Sequence, residues 1–230
     1  MGFNCGIIGM PNVGKSTLFN ALTKTSQAEA ANYPFCTIEP NTGRVAVPDK
    51  RLDELAQIAQ SAKIIYSQLE FVDIAGLVRD ASKGEGLGNQ FLGHIREVDA
   101  IAHVLRCFED ENITHVEGTI DPIRDLQIIE TELLLADIES LEKQKVSLEK
   151  KVRGNEKEAK SKLSLIEKIY PKMSNGIAAR KIDSLNLEES SIILGLGLIT
   201  IKPMLYVCNL SEDDILEGNL FSKAVSEKAK

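Results

Sequence analysis

The sequence predicts an α/β fold: a doubly wound, mostly parallel sheet into which an antiparallel α-helical coiled-coil hairpin is inserted. Three observations carry this. Short apolar runs alternate with helical patterns along the chain. The first run ends in a glycine-bracketed loop that opens a helix. Between the last two runs lies a stretch far too long for one crossover, and it carries coiled-coil spacing.

Residues 3–8, Phe-Asn-Cys-Gly-Ile-Ile, form the first expected strand, and Lys15 to Thr23 the first helix. Strands are expected at 43–48 and 68–73, separated by an amphipathic helix from Asp49 to Ser61 with Leu52, Leu55, Ile58 and Ala59 on one face. Residues 100–106 and 204–208 are the fourth and fifth expected strands.

Asp121-Pro122 is a helix-start signal. Leu134, Ile138, Leu141, Lys145, Leu148 and Val152 then alternate four- and three-residue steps, the seam of a coiled coil. Gly154-Asn155 interrupts the pattern. A second helix places Ala159, Leu163, Ile166 and Ile169 inward and ends at Tyr170-Pro171. A projecting hairpin is expected; the competing arrangement is one long helix folded back on the sheet. Lys143 to Lys172 holds ten basic residues against four acidic ones, inside a chain of net charge -7. Two readings of that excess stand, a solvated face or a contact surface for RNA phosphates. With no aromatics interleaved for stacking, such a contact would be to backbone and weakly specific.

Composition bounds the rest. A hydrophobic fraction of 43% over 230 residues supports a packed core. The acidic balance excludes nucleic-acid binding through average charge. Cys5, Cys36, Cys107 and Cys208 form no C-x-x-C pair, so free thiols in a reducing compartment are expected rather than a zinc knuckle. No run reaches the roughly 18 apolar residues of a membrane span, and Met1-Gly2-Phe3-Asn4-Cys5 carries no basic n-region. A monomeric cytoplasmic protein with no membrane contact is expected.

The loop Gly9-Met10-Pro11-Asn12-Val13-Gly14-Lys15-Ser16, set between strand and helix, is a phosphate-binding loop. It predicts a P-loop nucleoside triphosphatase of the GTPase-like class. Backbone N–H groups and the helix N-terminus surround the phosphates, so Asn12, Val13, Gly14, Lys15, Ser16 and Thr17 are the expected nucleotide-binding residues. Lys15 reaches the β- and γ-phosphates, and the Ser16 hydroxyl is a ligand for Mg²⁺. Asp73, in Asp73-Ile74-Ala75-Gly76 at a strand end, holds the Mg²⁺ shell, and the Gly76 N–H senses the γ-phosphate. Thr37 is the candidate switch hydroxyl on Mg²⁺, against the alternative of a plain loop threonine.

Asn209-Leu210-Ser211-Glu212 follows the fifth strand, where a GTPase carries N-K-x-D. That aspartate accepts from the guanine N1–H and 2-amino group, donors that adenine lacks. With Leu210 for lysine and Glu212 for aspartate, the site points to ATP, or to a relaxed choice between ATP and GTP, and Asn209 meets the purine edge. A small-molecule kinase is disfavoured because it needs no such purine reader. An RNA-binding module with negligible turnover remains the alternative. The expected division is 1–121 for the nucleotide-binding domain, 122–185 for the helical insertion and 186–230 for the domain's continuation.

Together, G-M-P-N-V-G-K-S, Y-P-F-C-T-I-E-P-N at 33–41, D-I-A-G-L at 73–77, G-E-G-L-G-N-Q-F-L at 84–92 and N-L-S-E at 209–212 resemble the Obg-like ATPase (YchF) family across the whole chain. The resemblance implies ATP binding and hydrolysis in preference to GTP, and association with ribosomes. It also implies a further base-binding strand and a small TGS domain, so the chain is expected to be a fragment. A Ras-type enzyme places its water-orienting glutamine after the glycine of D-x-x-G; here Leu77 stands there. Several GTPases without that glutamine carry an asparagine like Asn12, which helps hold K⁺ beside the phosphates. Asn12 is therefore one catalytic candidate, unless it only shapes the loop. His94 is the second, in a segment read as a mobile switch beginning at Gly84-Glu85-Gly86-Leu87-Gly88. His94, His103 and His115 show no metal-ligand spacing, and His103 is expected in the core or at an edge.

Overall fold

A computed structural model describes residues 2–23, 41–74, 87–110 and 112–230, with only the backbone of 87–89. Cys36, Thr37, Gly76, Leu77 and Gly84 to Gly86 lie outside the described residues, and with them the expectations placed there.

Five strands form one sheet in the order β2-β3-β1-β4-β5. They are β1 (Phe3–Ile8), β2 (Asn41–Ala46), β3 (Gln68–Asp73), β4 (Ala100–Arg106) and β5 (Met204–Asn209). β1 pairs in parallel with β3 and β4, and β4 with β5; β2 runs antiparallel to β3. The sheet is thus mostly parallel, as expected. β1, β3 and β4 meet at the centre, where Ile7, Ile8, Val72, Ile101, Ala102 and Val104 are buried in one cluster.

Helix α1 spans Lys15–Thr23 and buries Phe19 against that cluster. Helix α2, Lys50–Ile58, is capped by the Asp49 carboxylate, which accepts from the Arg51 N–H. Its apolar face is only partly covered: Leu52 is half-buried, whereas Leu55 is 61% and Ile58 82% exposed. Amphipathic spacing sets which side chains share a face, but tertiary packing decides whether the face is covered. Helix α3 is Leu87–Glu97. Helix is already formed at Leu87 and Gly88, where a loop was expected, and Phe91, Leu92 and Ile95 are buried in the central cluster.

Helix α4, Pro122–Arg153, is 32 residues long and opens on Asp121, whose carboxylate accepts from the N–H groups of Ile123 and Arg124. Gly154 ends it and α5, Lys157–Ser174, returns against it, which is the expected antiparallel hairpin. Leu141, Ile166 and Ile169 are fully buried along the seam, with Leu134, Ile138 and Leu148 partly buried beside them. The Tyr170 hydroxyl donates to Glu142 at 2.5 Å across the two helices. Pro171 lies inside α5 rather than ending it. It removes one helical hydrogen bond, while Met173 beyond it is fully buried and holds the last turn in place.

Helix α4 serves three clusters along its length, with Leu126 beside Leu105, Cys107 and Val225. Ile129, Leu133 and Ala136 join the sheet cluster, whereas Leu141 joins a second one with α5, Ile182, Ile193, Leu196 and Leu198. Residue 122 therefore marks where a helix begins, not where packing changes. Helix α6, Leu187–Leu194, packs with the hairpin, and α7, Leu220–Ala229, covers the β4–β5 end through Val225 and Phe221. Between α6 and β5, the buried Asp137 carboxylate accepts from the N–H groups of Ile199 and Thr200 at 2.8 and 2.7 Å and from the Thr200 hydroxyl at 2.7 Å. Those three bonds aim the chain into β5. Among the described residues, no helix is long and apolar enough to cross a membrane.

Candidate nucleotide-binding site

The phosphate loop leaves the C-terminal end of β1 at the sheet's centre and turns directly into α1. Three left-handed residues make the turn: Gly9 at φ +152°, Asn12 at +61° and Gly14 at +98°. A side chain at Gly9 would strike the Val104 carbonyl of β4, and one at Gly14 would strike the Asn209 amide. The spacing of the two glycines thus reflects close approach by two neighbouring strands.

Lys15 is buried, and its Nζ donates to the Met10 carbonyl at 2.9 Å, spanning the loop it belongs to. Burial lowers its pKa to about 8, against the opposing pull of the Asp73 carboxylate. The Ser16 hydroxyl donates to Asp73 Oδ2 at 2.8 Å. Asp73 is 3% exposed, and burial raises its pKa, with Ser16 and Lys15 acting the other way. Hydroxyl and carboxylate converge from α1 and β3, a hard-oxygen pair of the kind Mg²⁺ takes.

Asn209 sits at the end of β5, and its Nδ2 donates to the Val13 carbonyl at 3.0 Å. Leu210 packs beside Cys107, Leu126 and Val225. Glu212 is exposed and opens a 3-10 helix, Glu212–Asp214. The loop that carries it is fastened by Asn219, whose Nδ2 donates to the Asp214 carboxylate at 2.9 Å and to the Cys107 carbonyl at 2.7 Å.

Asn12 turns its amide to the Thr114 carbonyl, donating at 3.1 Å. Thr114 belongs to a loop organised by a residue that sequence reasoning passed over. Arg106 is 1% exposed and donates to the carbonyls of Phe108, Asp110 and Ile113 at 3.2, 3.0 and 2.8 Å. Its signal was an arginine closing an apolar strand. His115 fastens the same loop to α4: its Nδ1 accepts from the Glu117 N–H at 3.1 Å, so Nε2 carries the proton toward Asp125 at 2.8 Å.

His94 is half-buried on α3. His103 is a core residue of β4, 0% exposed, with its ring 5.9 Å from that of Tyr206. Burial lowers its pKa to about 3, so it stays neutral. Among the described residues no histidine, cysteine or carboxylate cluster suits a metal ion by itself. Lys15, Ser16, Asp73 and Asn209 are brought together. Thr17 follows on α1.

A family model described as "50S ribosome-binding GTPase" matches residues 4–168. The chain belongs to this P-loop GTPase family. Within it, the resemblance to YchF proteins holds over the full chain. It is 54% identical over 230 residues to a protein of Pasteurella multocida named "Ribosome-binding ATPase YchF", covering 100% of this chain and 62% of that one. A protein of Bacillus subtilis with the same name is 48% identical over 217 residues, 94% of this chain and 59% of that one. The solved structure of the Schizosaccharomyces pombe YchF GTPase superposes with a TM-score of 0.78 at 44% identity, over 98% of this chain and 61% of that chain. The chain thus spans about three fifths of the length of these relatives.

Proposed function

We propose that this chain is the nucleotide-binding part of a cytoplasmic, monomeric switch protein that binds and hydrolyses ATP in preference to GTP and engages the ribosome through the α4–α5 hairpin. The observation that carries the base choice is the end of β5. Leu210 is packed into an apolar cluster, and the acid at 212 is an exposed glutamate. Neither offers guanine the lysine and aspartate it needs, and adenine requires neither.

Bound Mg²⁺ would neutralise charge on the β- and γ-phosphates; Ser16 and Asp73 would hold it, with Thr37 as the further candidate. Lys15 exchanges the Met10 carbonyl for phosphate oxygens. With leucine at 77, the residue available to organise hydrolysis is Asn12, whose amide oxygen is the atom that would meet K⁺; His94 is the second candidate. The names of the relatives support the ribosome as partner. So does the hairpin tip, where Lys150, Lys151, Arg153, Lys157 and Lys160 are exposed.

Titration of the purified protein with ATP and GTP tests the reading. ATP is expected to bind tighter, and Leu210→Lys with Glu212→Asp should shift the preference toward GTP. GTP binding tenfold tighter than ATP in the wild type, about 1.4 kcal/mol, would overturn it.

A further inference from the structure

Two thiols meet beside the purine-side loop. Leu105 of β4 stands opposite Cys208 of β5, and Arg106 opposite Asn209. Cys107 continues β4 by one residue, its N–H donating to the Asn209 carbonyl at 2.8 Å. Alternation along the strands puts Leu105, Cys107 and Cys208 on one face, and both thiols enter the cluster formed with Leu126 and Val225. Both are free, Cys107 fully buried and Cys208 partly exposed.

We propose that Cys107 and Cys208 form a reversible disulfide when the protein meets a hydroperoxide, and that this bond regulates the nucleotide site. The bond itself rests on the geometry of the pair; its effect on ATP rests on the site reading above. The two cysteines are unequal in a way that suits the chemistry. A hydrogen bond from Cys107 holds the Cys208 thiol below its usual pKa, while the same contact, with burial, pushes Cys107 up. Of the two thiols, the less buried Cys208 therefore ionises more readily.

The Cys208 thiolate attacks the peroxide; an S–O bond forms, the O–O bond breaks, and the leaving oxygen departs as alkoxide or hydroxide. Cys208 is thereby oxidised by two electrons to the sulfenic acid and the peroxide reduced. Cys107 then loses its proton and attacks the sulfenic sulfur; the S–S bond forms, the S–O bond breaks, and water leaves. A dithiol reductant reverses the bond by exchange.

The pair lies on a diagonal of the ladder. A disulfide holds its Cα atoms within about 4.4–6.8 Å, so closure draws the chain after β4 toward β5. That movement reaches one support of the purine-side loop and the brace of the phosphate loop. The Cys107 carbonyl holds Asn219, and Cys208 adjoins Asn209, which holds Val13.

The test is hydrogen peroxide treatment of the full-length protein, followed by non-reducing peptide mapping and ATP titration. A linked Cys107–Cys208 peptide is expected, absent in Cys208→Ala and reversed by dithiothreitol. In Cys107→Ala, dimedone should trap the sulfenic acid on Cys208. The ATP Kd should rise at least fivefold on oxidation and recover on reduction. Cys208 found only as sulfinic acid, or peroxide sensitivity that persists in Cys208→Ala, would overturn the disulfide. A bond formed without change in ATP affinity would overturn its regulatory role. Failure of the reduced protein to bind ATP would instead count against the site reading.

Discussion

The Asn209 side-chain amide donates to the Val13 carbonyl at 3.0 Å, joining the end of β5 to the middle of the phosphate loop across 196 residues of sequence. An asparagine at this place was expected to meet a purine edge. Here it also braces the backbone that receives the phosphates, with Gly14 kept bare to admit it.

That bond sets the first prediction. Asn209→Ala removes a part-buried hydrogen bond, typically about 1 kcal/mol, or roughly fivefold in Kd. Because the brace acts on the phosphate loop, ATP and GTP should weaken alike in parallel titrations. A loss confined to one base would show that Asn209 acts by reading the purine alone.

Lys15 sets the second. Its pKa is lowered to about 8 by burial, and polyphosphate favours its charged form, so the pKa rises on binding. Binding therefore takes up a proton above pH 8. Affinity should be flat below pH 8 and fall as pH rises past it, by up to tenfold per pH unit. Calorimetry in buffers of different ionisation enthalpy at pH 8.5 should register the uptake. Affinity unchanged from pH 7 to 9.5 would contradict the assignment.

The hairpin sets the third. Lys168 is paired with Glu189 and Lys143 with Glu139, which leaves the tip group as the stronger test. Replacing Lys150, Lys151, Arg153 and Lys157 with Glu should abolish ribosome co-sedimentation and spare nucleotide binding. Wild-type binding should weaken steeply with salt. Unchanged sedimentation of the variant would make the tip merely solvated.

Asn12 sets the fourth. ATP turnover in K⁺ is expected to exceed that in Na⁺ at equal ionic strength, and Asn12→Ala should lose the stimulation. Equal rates in both salts would leave Asn12 its observed bond to Thr114 as a loop-shaping role. A collapse in His94→Ala alone would move the catalytic assignment to the histidine.

What the sequence determined by itself is what short-range chemistry dictates. Gly9, Gly14, Lys15 and Ser16 declare a phosphate loop because its turn is local, and the seam from Leu134 to Val152 declares a hairpin because its period is local. Tertiary structure decided the rest, because it depends on contacts between distant segments. The pattern at 49–61 named an apolar face on α2 but not whether anything covers it. Pro171 reads as a helix end until Met173 is seen buried beyond it. α4 reads as one element, yet its residues enter three clusters. The Lys15–Met10, Asn12–Thr114 and Asn209–Val13 bonds and the meeting of Cys107 with Cys208 all follow from how β1, β4 and β5 lie side by side, which no local pattern encodes.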